Sequence, residues 1–327
     1  MGLALSPSSD PVLGGIQAAL FSESTSAQVF TAEGRVMGTT ARITTVGGID
    51  ELPRRMMEML HDFDRQWSRF LADSEISKLS NSPGTPVAVS ARTVELVNVM
   101  LHGHRITGGA FDPTLLPALL AEGYAASLVN PERVTSLPVG SQRRGSPHGV
   151  TVEGLQVTLP TGTTLDSGGA GKGLAADIVA KFARDNGALG AMVEVGGDLR
   201  VSGVSPRADS WRLAIEHPME ASRRLSVINV ADAGVATSTV SKRRFVVDGR
   251  PTHHIIDPRT GLSADSDVLQ ATVIAPSAAQ AEIATKIAFV DGYEKLFAFA
   301  THHNYQAACV TRSEQWITTK EWPEADA

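Results

Sequence analysis

A glycine-rich stretch with a single lysine is the first place in this sequence where chemistry is expected. LDSGGAGKGLAADIVA begins at Leu165; a strand-like alternation leads up to Asp166, and a helical pattern follows Lys172. Glycines allow a ligand to approach the backbone, and the free N–H groups at a helix N-terminus attract an anion. The stretch therefore predicts an anion-binding wall with Lys172 as a movable positive charge. A plain strand-to-helix turn with a solvated lysine is the alternative.

Neither of the two common nucleotide-binding motifs matches this stretch. The triphosphatase loop G-x-x-x-x-G-K-[ST] requires a glycine where Asp166 stands and a hydroxyl residue where Gly173 stands. The dinucleotide motif G-x-G-x-x-G fails because single residues separate the glycines of GAGKG. The ligand must therefore be identified from other parts of the chain.

The elements that must position this stretch mix helices and strands. Apolar residues at helical spacing predict helices over 51–71, 90–107, 174–186 and 277–290. Period-two patterns predict strands between them, including a strand interrupted by the glycine pair of VEVGGD. Because strands and helices do not alternate strictly, the fold class is predicted to be α+β.

The composition excludes several classes of partner and site. The 327 residues carry a formal net charge of -6, so no basic excess favours a nucleic-acid partner. The chain has one cysteine, Cys309, which excludes an intrachain disulfide and a cysteine-based metal cluster. No segment has about 20 consecutive apolar residues, as a membrane helix would require.

The N-terminal segment differs in character from the rest of the chain. Residues 1–28 are predicted to be a mobile leader, with a short helix around 16–21, and residues 29–327 a single catalytic domain of two lobes. The segment lacks the basic start and unbroken apolar run of a signal peptide. With no lipid-anchoring cysteine near the N-terminus, the sequence predicts a cytoplasmic protein without a membrane anchor.

Seven short motifs, in this order along the chain, resemble those of the ApbE family, the FAD:protein FMN transferases. They are VMGTTARI, WSRFLADSEISKLS, TGGAFDPTL, LDSGGAGKGLAAD, VEVGGDLRVSG, GVATSTV and HHIIDPRTG, and the resemblance runs from about residue 36 to residue 292. It implies an ApbE-type, T-fold-like arrangement of mixed sheets with packed helices. FAD would bind in a cleft between two lobes.

The resemblance implies that the protein transfers FMN from FAD to a Ser or Thr hydroxyl of a target flavoprotein. The product is a phosphoester, AMP is released, and Mg²⁺ sits on the phosphates. The target would carry a short Asp…Ser/Thr-Gly-Ala-Thr-like motif. Two alternatives stay open: an FAD pyrophosphatase that yields FMN and AMP, and a flavin-binding protein without turnover.

The resemblance also assigns roles to individual residues. His254 of HHIIDPRTG would be the general base for the acceptor hydroxyl, and Asp257 would orient it or make polar contacts. Histidine suits this task because its ordinary pKa lies near physiological pH. By itself, a histidine before Ile-Ile-Asp-Pro is more often structural. The residues predicted to contact FAD are Met37, Phe70, Ala110, Phe111, Asp112, Asp166, Lys172 and Ile255.

The implied metal site departs from the family pattern. The backbone carbonyl of Gly169 would be one ligand, and the family usually adds an Asp and, four residues later, a Ser or Thr on one helical face. Here Glu282 stands at the Asp position and Lys286 at the hydroxyl position, with Thr285 one residue earlier as a substitute. An ammonium group cannot bind Mg²⁺ and can occupy its place. An ordinary Glu–Lys surface pair is the alternative.

Overall fold

The structure is a computed structural model that describes residues 16–18, 27–207, 210–220 and 222–325. Its helices are α1 (Leu52–Trp67), α2 (Glu75–Asn81), α3 (Ala91–Ile106), α4 (Leu116–Ala121), α5 (Gly171–Asp185), α6 (Ala278–Val290) and α7 (Tyr293–His303). Its strands are β1 (Ile16–Ala18), β2 (Val29–Val36), β3 (Thr39–Val46), β4 (Val87–Ala88), β5 (Thr151–Glu153), β6 (Gln156–Thr158), β7 (Gly190–Val195), β8 (Asp198–Gly203), β9 (Trp211–Glu216), β10 (Arg224–Val230), β11 (Gly234–Thr239), β12 (Arg244–Val247), β13 (Arg250–His253), β14 (Ile256–Asp257), β15 (Leu262–Ser263), β16 (Val268–Ala275), β17 (Gln306–Thr311) and β18 (Trp316–Thr318).

One large antiparallel sheet organises the described residues. Its strand order is β18-β17-β16-β11-β8-β7-β3-β2. The β7–β8 hairpin pairs Val195 with Asp198 and turns at Gly196 and Gly197. Gly196 has φ +70°, and a Cβ on Gly197 would lie 2.7 Å from the carbonyl oxygen of Thr237. Glycine is required at this turn because the backbone of β11 approaches so closely.

Both faces of this sheet are covered. Helices α5 and α6 pack on one face, against β7, β8, β11 and β16. A smaller sheet of order β1-β9-β10 covers the other face. Alternation along β7 directs Val193 and Val195 toward the helices and Met192 toward the smaller sheet. This two-sided burial agrees with the burial of all six residues of β7, including the carboxyl-bearing Glu194.

A second group of elements, which includes α1, α4 and β14, lies beside the large sheet. Helices α1 and α5 belong to one apolar core with Trp67, which stacks on Phe63 at 4.6 Å and donates a hydrogen bond to Thr93 Oγ1 at 3.0 Å. A smaller apolar cluster joins Leu119 of α4 to Ile256 of β14. The segment between α3 and α4 and the segment around His254 are held through these contacts. The division into two lobes stays a prediction.

The α+β class predicted from the sequence is confirmed. The helices predicted over 51–71, 90–107 and 277–290 correspond to α1, α3 and α6, and Ser90 caps α3 by accepting a hydrogen bond from Thr93 N. Helix α5 begins at Gly171, three residues before the predicted start. The strand predicted to reach Asp166 ends at Thr158 in β6, and an irregular segment follows.

The N-terminal prediction is tested only in part. Ile16–Ala18 forms strand β1 against β9, so the short helix predicted around 16–21 is wrong over these three residues. The rest of the predicted leader up to residue 26 lies outside the described residues. In the described part of the chain, every helix is too short or too polar to cross a membrane.

Candidate active site

A cavity of about 380 Å³ lies where the β7–β8 turn, the N-terminus of α5 and helix α6 meet. Its volume falls within the range of small-molecule and cofactor sites. Both signs of charge line it: the carboxylates are Asp112, Asp166, Asp198 and Glu282, and the cations are Lys172, Lys242, Arg243 and Lys286. Tyr124, His254 and several hydroxyl side chains also line the cavity, among them Ser238.

The start of α5 is fixed by close packing against α6. A Cβ on Gly173 would lie 2.5 Å from the carbonyl carbon and oxygen of Ala278, so a side chain at this position would force the helices apart. Gly169 lies against the ring of Phe111, because a Cβ on Gly169 would be 2.8 Å from Phe111 Cε2. The glycines of the glycine-rich stretch therefore let α5 contact α6 and let the loop before α5 contact the Phe111 ring, in addition to leaving space for a ligand.

Lys172 links three elements through two buried carboxylates. Its ammonium donates hydrogen bonds to Asp198 Oδ2 on β8 and to Glu282 Oε1 on α6. The second oxygen of Glu282 accepts a hydrogen bond from Gly173 N at 2.9 Å. Burial lowers the pKa of Lys172, but the charges of Asp198 and Glu282 outweigh burial, so the pKa lies above its ordinary value. Burial and the charge of Glu282 raise the pKa of Asp198 to about 6.

A second ammonium lies one helical turn along α6 from Glu282. Lys286 Nζ donates hydrogen bonds to Glu282 O at 2.8 Å, to Thr285 Oγ1 at 3.2 Å and to Ser238 Oγ at 3.3 Å. Burial lowers the pKa of Lys286, although the carboxylates of Glu282 and Asp198 act in the opposite direction. Two lysines and two carboxylates thus form one charged cluster at the floor of the cavity.

His254 faces the same cavity from the segment between β13 and β14. Its Nδ1 atom is buried without a hydrogen-bond partner, and its ring meets Tyr124 edge-on with centroids 6.5 Å apart. Burial and the positive charges of Arg243 and Lys286 hold the pKa of His254 well below its ordinary value. The imidazole is therefore neutral at pH 7 and has the capacity to accept a proton.

Two further carboxylates, of Asp112 and Asp166, line the cavity. Asp112 Oδ1 accepts hydrogen bonds from the backbone N–H and hydroxyl of Thr114 at 2.9 and 2.6 Å, and Asp112 Oδ2 accepts one from Arg144 Nε at 2.8 Å. Asp166 Oδ1 lies 3.4 Å from Arg69 Nε. Both aspartates are thus paired with arginines of the protein itself.

Comparison with known proteins decides the family of this chain. A family model described as the ApbE family matches residues 37–311, most of the chain. This chain belongs to the ApbE family. The resemblance seen in the order of the sequence motifs is confirmed.

Individual ApbE relatives match over most of their length. A Vibrio cholerae protein named FAD:protein FMN transferase is 29% identical over 293 residues, which cover 86% of this chain and 87% of that protein. A Haemophilus influenzae protein of the same name is 26% identical over 315 residues, covering 90% of this chain and 89% of that protein. The crystal structure of the ApbE protein from Thermotoga maritima has a TM-score of 0.80 at 24% identity, covering 91% of this chain and 100% of that chain, which supports the fold.

The structure brings most of the predicted site residues to one cavity. Those that line it are Ala110, Phe111, Asp112, Asp166, Gly169, Lys172, His254, Ile255 and Glu282. The other four predicted residues, Met37, Phe70, Asp257 and Thr285, lie outside its lining. Asp257 instead forms an ion pair with Arg259 at 2.9 Å. Phe70 packs under the guanidinium of Arg69 at 4.1 Å, and Met37 occupies the β2–β3 turn with φ 51°.

Sequence reasoning missed several residues that shape this ApbE cavity. Asp198 follows directly on the glycine pair of VEVGGD, and its place after a tight turn was the available signal. Arg69 directly precedes Phe70 in the motif WSRFLADSEISKLS, but nothing in this motif indicates that the arginine is buried. Arg243 begins a short predicted strand, RRFVVDG, and Tyr124 lies in a segment without a periodic pattern. No local signal shows that these two line the cavity.

The donors proposed for a divalent metal do not fit one in their present arrangement. Both oxygens of Glu282 are engaged, by Lys172 and by Gly173 N, and Thr285 Oγ1 donates to Glu282 O at 2.7 Å. The Lys286 ammonium also lies among these groups. In the described part of the chain, no group of three or more His, Cys, Asp or Glu side chains is placed to hold a metal ion. Mg²⁺ requires near-ideal octahedral oxygen ligands, which this set does not offer.

Proposed function

We propose that this chain transfers FMN from FAD to a Ser or Thr hydroxyl of a target flavoprotein and releases AMP. One observation carries the proposal: the cavity of this ApbE-family chain combines a helix N-terminus and buried lysines with a neutral imidazole. The first two bind and polarise a diphosphate, and the third accepts a proton from an attacking hydroxyl. Both parts of a phosphoryl-group transfer are therefore present in one cavity.

The cations supply the electrostatic part of the reaction. Lys172 lies in the first turn of α5, where the helix dipole also favours an anion. Its charge and that of Lys286 are balanced by Asp198 and Glu282, so a bound diphosphate draws further on Arg243 at the cavity wall. Fixed positive groups around a transferring phosphoryl stabilise the charge that develops on its oxygens.

His254 is the proposed general base. Nδ1 is enclosed, so Nε2 is the nitrogen that meets the acceptor hydroxyl. The hydroxyl oxygen forms a bond to the FMN phosphorus, its proton passes to His254, and the bridging P–O bond breaks so that AMP leaves with the electron pair. Binding of an anionic diphosphate adds negative charge near the imidazole and raises its pKa toward the useful range. Asp257, paired with Arg259, would act on the segment that carries His254 rather than on the substrate.

Six of the FAD contacts proposed from the sequence line this cavity: Ala110, Phe111, Asp112, Asp166, Lys172 and Ile255. The acceptor would carry the short Asp…Ser/Thr-Gly-Ala-Thr-like motif. A cytoplasmic location, the contacts of Met37 and Phe70 and the participation of Thr285 stay predictions from the sequence.

Incubation with FAD and an acceptor peptide tests the proposal. The wild type is expected to yield flavinylated peptide and AMP, and His254→Ala to lose at least about a hundredfold in rate, the usual contribution of a general base. His302→Ala, an exposed histidine on α7, is the matched control and is expected to keep full activity. AMP and free FMN without labelled peptide would favour a pyrophosphatase, and intact bound FAD would favour a non-catalytic flavin protein. Unchanged transfer by His254→Ala would remove the histidine from the mechanism.

A further inference from the structure

Lys286 stands where the family pattern places a metal-binding hydroxyl. Its Nζ atom lies within hydrogen-bonding distance of Glu282 O, Thr285 Oγ1 and Ser238 Oγ, at 2.8, 3.2 and 3.3 Å. Gly169 lies against the same side chain, since a Cβ built on Gly169 would be 3.6 Å from Lys286 Cε. The ammonium thus lies among the groups that were candidates to hold a divalent ion.

The surrounding groups are arranged for an ammonium and not for a dication. An ammonium is satisfied by three oxygen acceptors, and Lys286 has three. Thr285 Oγ1 also meets Ser238 Oγ at 2.7 Å, so these two hydroxyls already bond to each other. A dication here would lie close to two ammonium groups and would have to detach Glu282 from Lys172. Such repulsion is strong at a site with little water.

We propose that Lys286 replaces the divalent metal at the diphosphate site, so that this chain binds FAD without a metal ion. The inference rests on the proposed function, because it takes the diphosphate of FAD as the ligand. The Lys286 ammonium lies beside Gly169, on the side of the cavity that the α5 N-terminus borders. It supplies one positive charge at the place where the family pattern supplies a bound ion. Lys172 and Arg243 supply the remaining positive charge.

Titration with FAD, followed by quenching of flavin fluorescence, tests the inference directly. The wild type is expected to bind FAD in EDTA with the same Kd, within about twofold, as in Mg²⁺. Lys286→Thr restores the hydroxyl of the family pattern; it is expected to lose at least about tenfold in affinity in EDTA, or about 1.4 kcal/mol, and to recover on addition of Mg²⁺.

Two further variants separate the effect of charge from the effect of folding. Lys286→Met has similar length but neither charge nor ligand oxygen, so it should lose affinity in EDTA and not recover with Mg²⁺. Lys295→Met removes an exposed lysine of α7 and should leave both titrations unchanged. Thermal melting of each variant shows that the fold is kept. A melting point close to that of the wild type with Kd unchanged in Lys286→Met and Lys286→Thr would overturn the inference.

The outcome for the wild type distinguishes this inference from the proposed function. If the wild type bound FAD tightly only in Mg²⁺ and still transferred FMN, the replacement of the metal by Lys286 would be wrong and the function would stand. If FAD bound equally in EDTA and Mg²⁺ but no FMN reached a peptide, the metal-free site would stand and the transfer would fall. Failure to bind FAD in either buffer would contradict both.

Discussion

Replacement of Gly173 by alanine tests how closely the site depends on the packing of α5 against α6. A Cβ at this position would lie 2.5 Å from Ala278 C and O and 2.6 Å from Ala279 N. Carbon atoms in contact normally lie about 3.5–4.0 Å apart, so the helices must separate by about 1 Å. Because the clashing atoms are backbone atoms, rotation of a side chain cannot relieve the contact.

Two opposing effects decide how much Gly173→Ala changes the free energy of unfolding. Alanine gains up to about 1 kcal/mol over glycine inside a helix. Overpacking costs about 1–3 kcal/mol, and the rigid backbone places this site at or above the upper end. The expected net loss is about 2 kcal/mol in the free energy of unfolding, or roughly 3 °C in Tm. Separation of the helices also lengthens the 2.9 Å hydrogen bond from Gly173 N to Glu282, so FAD affinity is expected to fall as well.

Thermal melting and FAD titration of Gly173→Ala measure both effects. Gly171→Ala, two residues earlier in α5, is the matched control because its Cβ would meet a side-chain atom, Ser167 Cβ, at 3.3 Å. It is expected to change Tm by less than half as much. If Gly173→Ala were as stable as the wild type and bound FAD equally well, the account of this helix contact would be refuted.

Three further substitutions test the electrostatics of the fold. Burial raises the pKa of Glu194 to about 8, so the wild type should lose stability from about pH 4.5 to pH 8, by up to about 1.4 kcal/mol per pH unit. Glu194→Gln should flatten this slope when melting is measured at a series of pH values. An unchanged slope would refute the assignment of the pH dependence to Glu194. Hydrogen bonds from Arg250 and Ser263 lower the pKa of Glu122 to about 2, so its stabilisation is present above about pH 4.5 and is lost as the pH falls toward 2. Glu122→Gln should therefore lower the midpoint of urea unfolding at pH 7 and reduce the loss of stability at acid pH. Equal midpoints for the wild type and Glu122→Gln would contradict a stabilising role of the Glu122 carboxylate. Arg69→Met leaves Asp166 without its buried partner and should cost about 3 kcal/mol in denaturant unfolding, whereas a loss below about 1 kcal/mol would contradict a structural role for this pair.

Local patterns in the sequence were sufficient for the longer elements of the fold. Helices α1, α3 and α6 were predicted because each has apolar residues at helical spacing, and Ser90 marks the start of α3 by a side-chain hydrogen bond that its residue type favours. Helix α7 and the short helices α2 and α4 were not predicted. The early start of α5 at Gly171 was missed because glycine is a poor helix former, and here the packing against α6 decides the conformation.

The candidate site was predictable in its residues more than in its contacts. Lys172 and Glu282 were both singled out, but they are 110 positions apart, and nothing local indicates that they form one ion pair. Asp198 joins them through a strand that only the folded sheet brings next to α5. Phe70 and Asp257 lie outside the cavity lining and contact neighbouring arginines, and their predicted roles at the site stay predictions. Their proposed roles depend on long-range packing that sequence spacing does not encode.

The ratio of flavinylated acceptor peptide to released AMP tests the central claim most directly. The measurement follows one reaction in buffer that contains Mg²⁺, by mass spectrometry of the peptide and chromatography of the nucleotides. One mole of labelled peptide for each mole of AMP is the result expected for FMN transfer by this chain. AMP formed in large excess over labelled peptide at saturating acceptor, or no AMP at all, would contradict it.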